Sequence, residues 1–166
     1  MGFSCLRKRE ELRKRGFDFV VDRRGFGVKI ASMDIIILRG TASCGKTTFA
    51  NLLKSLDDSV EIVCADDFFY KEGRYVFDAS QLSTAHKTCR EKFKELVDRR
   101  AKTIIVANTN TKEWEFADYK NYGRENGYQI TFLVLENRHG NTNSHNVPPE
   151  TIKRQKENLI LSLKLT

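Results

Sequence analysis

The chain has 166 residues, 40% of them apolar and 31% charged, which is enough for one α/β domain and too little for two of ordinary size. Even the aliphatic run Ile35 to Leu38 is far too short to cross a bilayer, and Met1 leads into Arg7-Lys8-Arg9 without an apolar leader, so a cytoplasmic protein with no membrane partner is expected. A formal charge of +7 with an isoelectric point near 9.3 suits either a polyanionic partner or a solvated basic surface.

Residues 1–32 carry nine of the basic side chains against four acidic ones, and are read as a basic N-terminal extension to a domain over 33–166. Within the extension, Leu6 to Arg15 has helical composition, and Phe17 to Val21 and Phe26 to Ile30 could form two short strands. The domain proper opens with Asp34-Ile35-Ile36-Ile37-Leu38-Arg39, the continuous aliphatic run of a parallel strand covered on both faces. A helix from Thr47 to Ser55 and a strand from Val60 to Cys64 follow. Asp78 to Arg100 reads as a long helix with Leu82, Ala85, Cys89, Phe93, Leu96 and Val97 on one face, its start marked by Asp78 and Gln81 as a capping box. Thr103 to Ala107 is a third strand, Trp114 to Asn126 a helix closed by Gly127, and Gln129 to Leu135 a fourth strand. Pro148-Pro149-Glu150 opens a last helix, and Leu161 to Leu165 alternates like an edge strand. This alternation predicts an α/β fold: a parallel sheet of four to five strands flanked by helices, with ligands at the carboxyl ends of the strands. The four cysteines, Cys5, Cys44, Cys64 and Cys89, form no CxxC pair, which fits reduced thiols and argues against a zinc site.

Gly40-Thr41-Ala42-Ser43-Cys44-Gly45-Lys46-Thr47 satisfies G-x-x-x-x-G-K-[ST], the P-loop or Walker A motif. It lies between a predicted strand and a predicted helix, the context that the mechanism requires. The glycines let successive amides face a β-phosphate, and the helix adds its positive end. Gly40 to Thr48 is the expected ATP site: Lys46 reaches the β- and γ-phosphates, and Thr47 places a hydroxyl on Mg²⁺. After the second strand, Ala65-Asp66-Asp67 sets two carboxylates beside that loop. A carboxylate there can take a proton from an attacking hydroxyl, and Asp66 is the candidate base; Asp67 could cap a turn or face the substrate.

With these motifs, and with Tyr75-Val76-Phe77-Asp78, Ala85-His86 and Asn108-Thr109-Asn110, the stretch from about Asp34 to Glu157 resembles the P-loop domain of the polynucleotide kinases of bacteriophages and of related animal modules. The resemblance implies an ATP- and Mg²⁺-dependent transferase acting on the 5′-hydroxyl of RNA or DNA, in nucleic-acid repair or end processing. It implies Asp66 as base, and substrate contacts from Asp67, His86, Asn108, Thr109 and Asn110. The phage enzymes carry an arginine where this chain has Phe69, and animal relatives carry an aspartate where it has Ala107. The polar loop Leu135 to Pro148 is the expected lid. Arg138 is its candidate catalytic arginine, and Arg154 on the next helix is a second cation. Two other readings stay open: a small-molecule kinase of the toxin type acting on nucleotide sugars, and a nucleotide-dependent nucleic-acid-binding module with little transfer activity. Oligomeric state is not encoded in any pattern here.

Overall fold

The computed structural model describes residues 33–138 and 147–163. The helix and strands expected within 1–32 lie outside them, as do residues 139–146 of the expected lid. In chain order the elements are β1 (Asp34–Arg39), α1 (Lys46–Leu56), β2 (Val60–Val63), the short strands β3 (Tyr70–Lys71) and β4 (Arg74–Tyr75), α2 (Leu82–Asp98), β5 (Thr103–Val106), α3 (Glu113–Glu125), β6 (Gln129–Val134) and α4 (Pro149–Leu163).

Four strands make one sheet in the order β2-β5-β1-β6, parallel throughout. The aliphatic sequences explain the two central positions: Ile35, Ile37 and Leu38 of β1 and Ile104, Ile105 and Val106 of β5 are all fully buried, as strands with helices on both faces must be. Register then decides where function can sit. Ile37 of β1 is level with Val106 of β5, and Val106 with Val63 of β2. The segments starting at Gly40, Cys64 and Ala107 therefore leave the sheet along one edge, at the carboxyl ends.

Helix α2 covers the sheet with Ala85, Cys89, Phe93, Leu96 and Val97, all buried as expected. Phe93 meets Tyr119 of α3 edge-on, ring centroids 4.9 Å apart. Helix α3 lies so close to the sheet that a Cβ on Gly123 would stand 2.4 Å from Ile35 Cδ1. Gly127 ends this helical segment with φ of 82°, the left-handed turn that its glycine predicted.

Three expectations need correction. The helix drawn from Asp78 begins as a 3₁₀ turn, Ala79–Gln81, and becomes α-helical at Leu82. Asp78 does cap it, accepting hydrogen bonds from the Ser80 amide at 2.9 Å and from Gln81 Nε2 at 3.0 Å. Leu82, placed on the buried face, is 40% exposed, because the packed layer is first reached one turn later at Ala85. The edge strand expected at 161–165 is replaced by helix over its described part, since α4 runs on to Leu163, and its remainder lies outside the described residues. Ser162 Oγ donates to Leu159 O and lies 2.8 Å from Thr111 O, so helical geometry fastens the polar residue that the alternation had assigned to a strand face.

Candidate active site

The phosphate loop leaves β1 at Gly40. Its amide donates to Thr109 O at 2.9 Å, and a Cβ at Gly40 would lie 2.5 Å from Cys44 Sγ and 2.6 Å from Leu135 O. Only glycine fits that approach. Gly45, at φ 93°, supplies the left-handed residue that turns the loop into α1. No side chain caps α1, and its first turn holds no acidic residue, so the helix start keeps its positive end for an anion. Lys46 is buried and folds back on the loop, donating to Thr41 O at 2.6 Å and Gly40 O at 3.2 Å. Thr47 and Thr48 are exposed at the helix start. The donor set of this loop thus fits a nucleotide's phosphates, and the Thr47 hydroxyl fits a phosphate-bound Mg²⁺.

Arg39, to which no role was assigned above, anchors this end of the site. It is buried at the last position of β1; Nε donates to Asn110 O at 2.9 Å and Nη2 to Thr111 O at 3.3 Å. Nη2 also bonds Ser162 of α4, and the guanidinium lies 4.8 Å from the centroid of Phe116. Burial lowers its pKa, opposed by the charges of Glu115 and Glu113. An arginine closing an aliphatic strand was the available signal. Gln155 of α4 was also unforeseen: its Oε1 accepts from the Ala42 amide of the phosphate loop at 2.8 Å.

Asp66 lies in a 3₁₀ turn, Ala65–Phe69, directly after β2. That turn is held from the segment after β5, where buried Asn108 accepts the Ala65 amide on Oδ1 at 2.8 Å while its Nδ2 reaches Tyr119 Oη at 3.4 Å and Cys89 Sγ at 3.5 Å. From the other side comes β4, whose Tyr75 lies close enough to Asp66 to feel its charge. The Tyr75 pKa is pushed up to about 12, by burial first and by the Asp66 charge second. Asp67 is exposed, with Lys92 Nζ 3.9 Å away; burial raises its pKa more than Lys92 lowers it. His86, half-buried on α2, has its pKa lowered by burial and by Arg90, with Asp66 and Glu115 opposing. It is therefore neutral at neutral pH, close enough to Asp66 for the charges to interact.

The other expected site residues divide. Asn108 and Asn110 are buried, and their amides serve the fold: Asn110 Nδ2 donates to Leu38 O at 2.8 Å, while its Oδ1 is buried without a partner. Thr109 is half-buried and holds Gly40 through its carbonyl. Arg138 is exposed, and its Nε is paired with Glu136 at 2.8 Å. Arg154 is exposed on α4. Phe69 is 1% exposed in the core, so the position that is an arginine in the phage enzymes offers no cation here. Among the described residues, no group of three His, Cys, Asp or Glu side chains could hold a metal, so a cation there would rely on Thr47 and the nucleotide's own phosphates. Cys44, Cys64 and Cys89 are free and buried, as unpaired thiols were expected to be. No helix among the described residues is long and apolar enough to cross a membrane.

A glycine-closed phosphate loop after β1, on a parallel sheet with a carboxylate after β2, defines a P-loop kinase-like domain. Residues 35–159 match the family described as AAA domain, and the chain belongs to that family. Human NEDD4-binding protein 2 is 33% identical over 98 residues, which are 59% of this chain and 6% of the relative's length. Among solved structures, that of the Pnkp1/Rnl/Hen1 RNA repair complex superposes with a TM-score of 0.61 at 21% identity, over 86% of this chain and 48% of the other. A second structure of the Pnkp1/Rnl/Hen1 complex gives 0.52 at 21% identity over 87% and 42%. At that identity the likeness is one of fold. The chain spans less than half of either structural relative.

Proposed function

We propose that this protein is a polynucleotide 5′-hydroxyl kinase, which transfers the γ-phosphate of ATP to the 5′-hydroxyl of RNA or DNA during repair or end processing. The observation that carries this reading is the seating of Asp66. It follows β2, two strands from the phosphate loop that follows β1, and its turn is held by Asn108 through Ala65, with Tyr75 beside it. Two strand spacings are roughly 10 Å, which leaves room for a phosphoryl group and an attacking hydroxyl above the end of β5.

In this reading Asp66 accepts the proton of the 5′-hydroxyl as its oxygen bonds to the γ-phosphorus and the bond to ADP breaks. Lys46 moves from the Gly40 and Thr41 carbonyls onto the β- and γ-phosphates. Thr47, with the phosphate oxygens, would hold a Mg²⁺ ion, which would neutralise charge on the leaving group. Thr109 and His86 face the acceptor, and Arg138 leaves Glu136 to meet the transferring group. The basic segment 1–32 adds affinity for the nucleic-acid backbone.

Buried Phe69 favours a second reading, a small-molecule acceptor such as a nucleotide sugar, because the position offers no grip on an acceptor phosphate. Labelled ATP with 5′-hydroxyl RNA, 5′-hydroxyl DNA and a nucleotide sugar separates the readings. Label on either polynucleotide supports the proposal; label on the sugar alone supports the second reading. ATP bound with label on none would leave a nucleotide-dependent binding module. In the same assay, a chain starting at Met33 is expected to bind polynucleotide with a shallower salt dependence; an unchanged slope would remove residues 1–32 from that role.

A further inference from the structure

Helix α4 turns one stripe, Ile152, Gln155, Leu159 and Ser162, toward the ends of β1 and β5, the residues recurring at the three- and four-residue steps of a single helix face. Leu159 is buried and Ile152 and Gln155 are half-buried, while Lys153, Arg154, Lys156 and Glu157 on the other faces are exposed. A glutamine set in such a stripe needs a polar partner. Gln155 finds one in the phosphate loop, where its Oε1 accepts the Ala42 amide at 2.8 Å. About two helical turns further along the same face, Ser162 lies 2.8 Å from Thr111 O and accepts from Arg39. The helix is pinned at both points, so it is α4 that aims the carboxamide at the loop.

The peptide group between Thr41 and Ala42 is thereby engaged at both poles. Its carbonyl accepts from Lys46 Nζ at 2.6 Å and its N–H donates to Gln155. A cation on the carbonyl polarises the amide and makes its N–H the stronger donor, so the two bonds reinforce each other. The bend of the loop does not depend on Gln155: the Gly40 amide is fixed to Thr109 O at 2.9 Å, the Cys44 amide to Thr41 O at 3.4 Å, and Gly40 is closed against Cys44 Sγ and Leu135 O. What Gln155 adds is a neutral oxygen on a donor of the kind that a P-loop offers to phosphate.

In a P-loop the lysine is the side chain that reaches the β- and γ-phosphates, and Lys46 stands on the Thr41–Ala42 peptide. The amide of that same peptide therefore borders the outermost phosphate, which a triphosphate has and a diphosphate lacks. A phosphate oxygen is an anionic acceptor whose hydrogen bonds are roughly twice as strong as those to a neutral carbonyl, and it draws Lys46 away as well. We infer that Gln155 is an internal competitor for the γ-phosphate: it holds the Ala42 amide until a nucleoside triphosphate takes that donor, so it weakens the binding of ATP and leaves that of ADP unchanged. Gln155 thus sets the preference of the site for ATP over ADP, and its displacement by the γ-phosphate frees α4 from the loop. This inference rests on the part of the proposed function that puts ATP in the loop, and not on the nature of the acceptor.

The test is a titration of the full chain, and of two variants, with ATP and with ADP in the presence of Mg²⁺. Gln155→Ala is expected to bind ATP about fivefold more tightly than the parent, the worth of one neutral hydrogen bond, and ADP within about twofold. Gln155→Glu keeps an acceptor on the amide and adds a negative charge, so it should bind ATP about tenfold more weakly, with a smaller loss for ADP. The sign of the change separates this role from the others. A Gln155→Ala variant that loses ATP affinity alone would make Gln155 a ligand of the nucleotide, and one that changes ATP and ADP binding alike would make it part of the scaffold of the loop. Either result overturns the inference, as does an ATP affinity equal to the parent's, and each leaves the kinase reading standing. A parent that binds neither nucleotide overturns the reading and the inference together.

Discussion

The two ends of the site are built by opposite rules. At the phosphate loop every tight position is closed from within: Gly40 has no room for a Cβ, Lys46 is folded onto its own loop, and Arg39 ties the loop after β5 to α4. At the acceptor end only the turn carrying Asp66 is fixed, and beyond it Tyr70, Val76 and Phe77 stand open to water. Phosphates are the same in every nucleoside triphosphate, so a rigid backbone cradle serves them. An acceptor is recognised by surface, and there a short motif says little.

If that contrast is right, damage at the two ends must have different signatures. The largest expected effect is that of Lys46→Ala, which removes the cation from the transferring phosphates. Transfer should fall by roughly 10²- to 10³-fold with weakened ATP binding, read together by label transfer and nucleotide titration. Asn108→Ala should come next, because it strips the partner from the buried Ala65 amide. A stability loss of about 1–3 kcal/mol is expected, measured by urea unfolding, together with a lower kcat as the turn under Asp66 loosens. Tyr75→Phe should reduce transfer by about tenfold while ATP binding is unchanged.

The smallest effect concerns His86. Its folded-state pKa is depressed by burial, so below about pH 6.5 the unfolded chain takes up the proton more readily than the native one. Stability at that position is complete above this pH and declines as the pH falls below it. Urea midpoints at pH 7.5 and 5.5 should differ more for the parent than for His86→Gln. Equal differences would mean that His86 is not held neutral by its surroundings.

Long or chemically constrained segments were legible in the sequence. The aliphatic runs of β1 and β5, the apolar stripe of α2 from Ala85 onward and the phosphate-loop spacing each admit essentially one structure, and each was found where expected. The β3–β4 hairpin was missed because strands of two residues are shorter than any period that could reveal them, and Glu72-Gly73 is a weak form of the Asn-Gly signal for a type I′ turn. The alternation from Leu161 to Leu165 misled because so short a run fits a strand or a helix equally; over its described part, helix α4 continues and Ser162 bonds Thr111 O and Arg39. The position of Asp66, just past the carboxyl end of β2, could be read from the strand pattern. Its support by Asn108 could not, since that contact joins β2 to β5 across 43 positions of chain. Arg39 was hidden for the same reason: its partners lie 71 and more residues away.

The most direct measurement is 5′-end label transfer by Asp66→Asn beside a titration of ATP. Asparagine keeps the shape of the side chain and cannot take the proton. Transfer is predicted to fall by roughly 10²- to 10⁴-fold, with ATP bound as tightly as by the parent. A variant that still transferred phosphate at the parental rate would contradict the account and leave Asp66 as one more residue holding the turn.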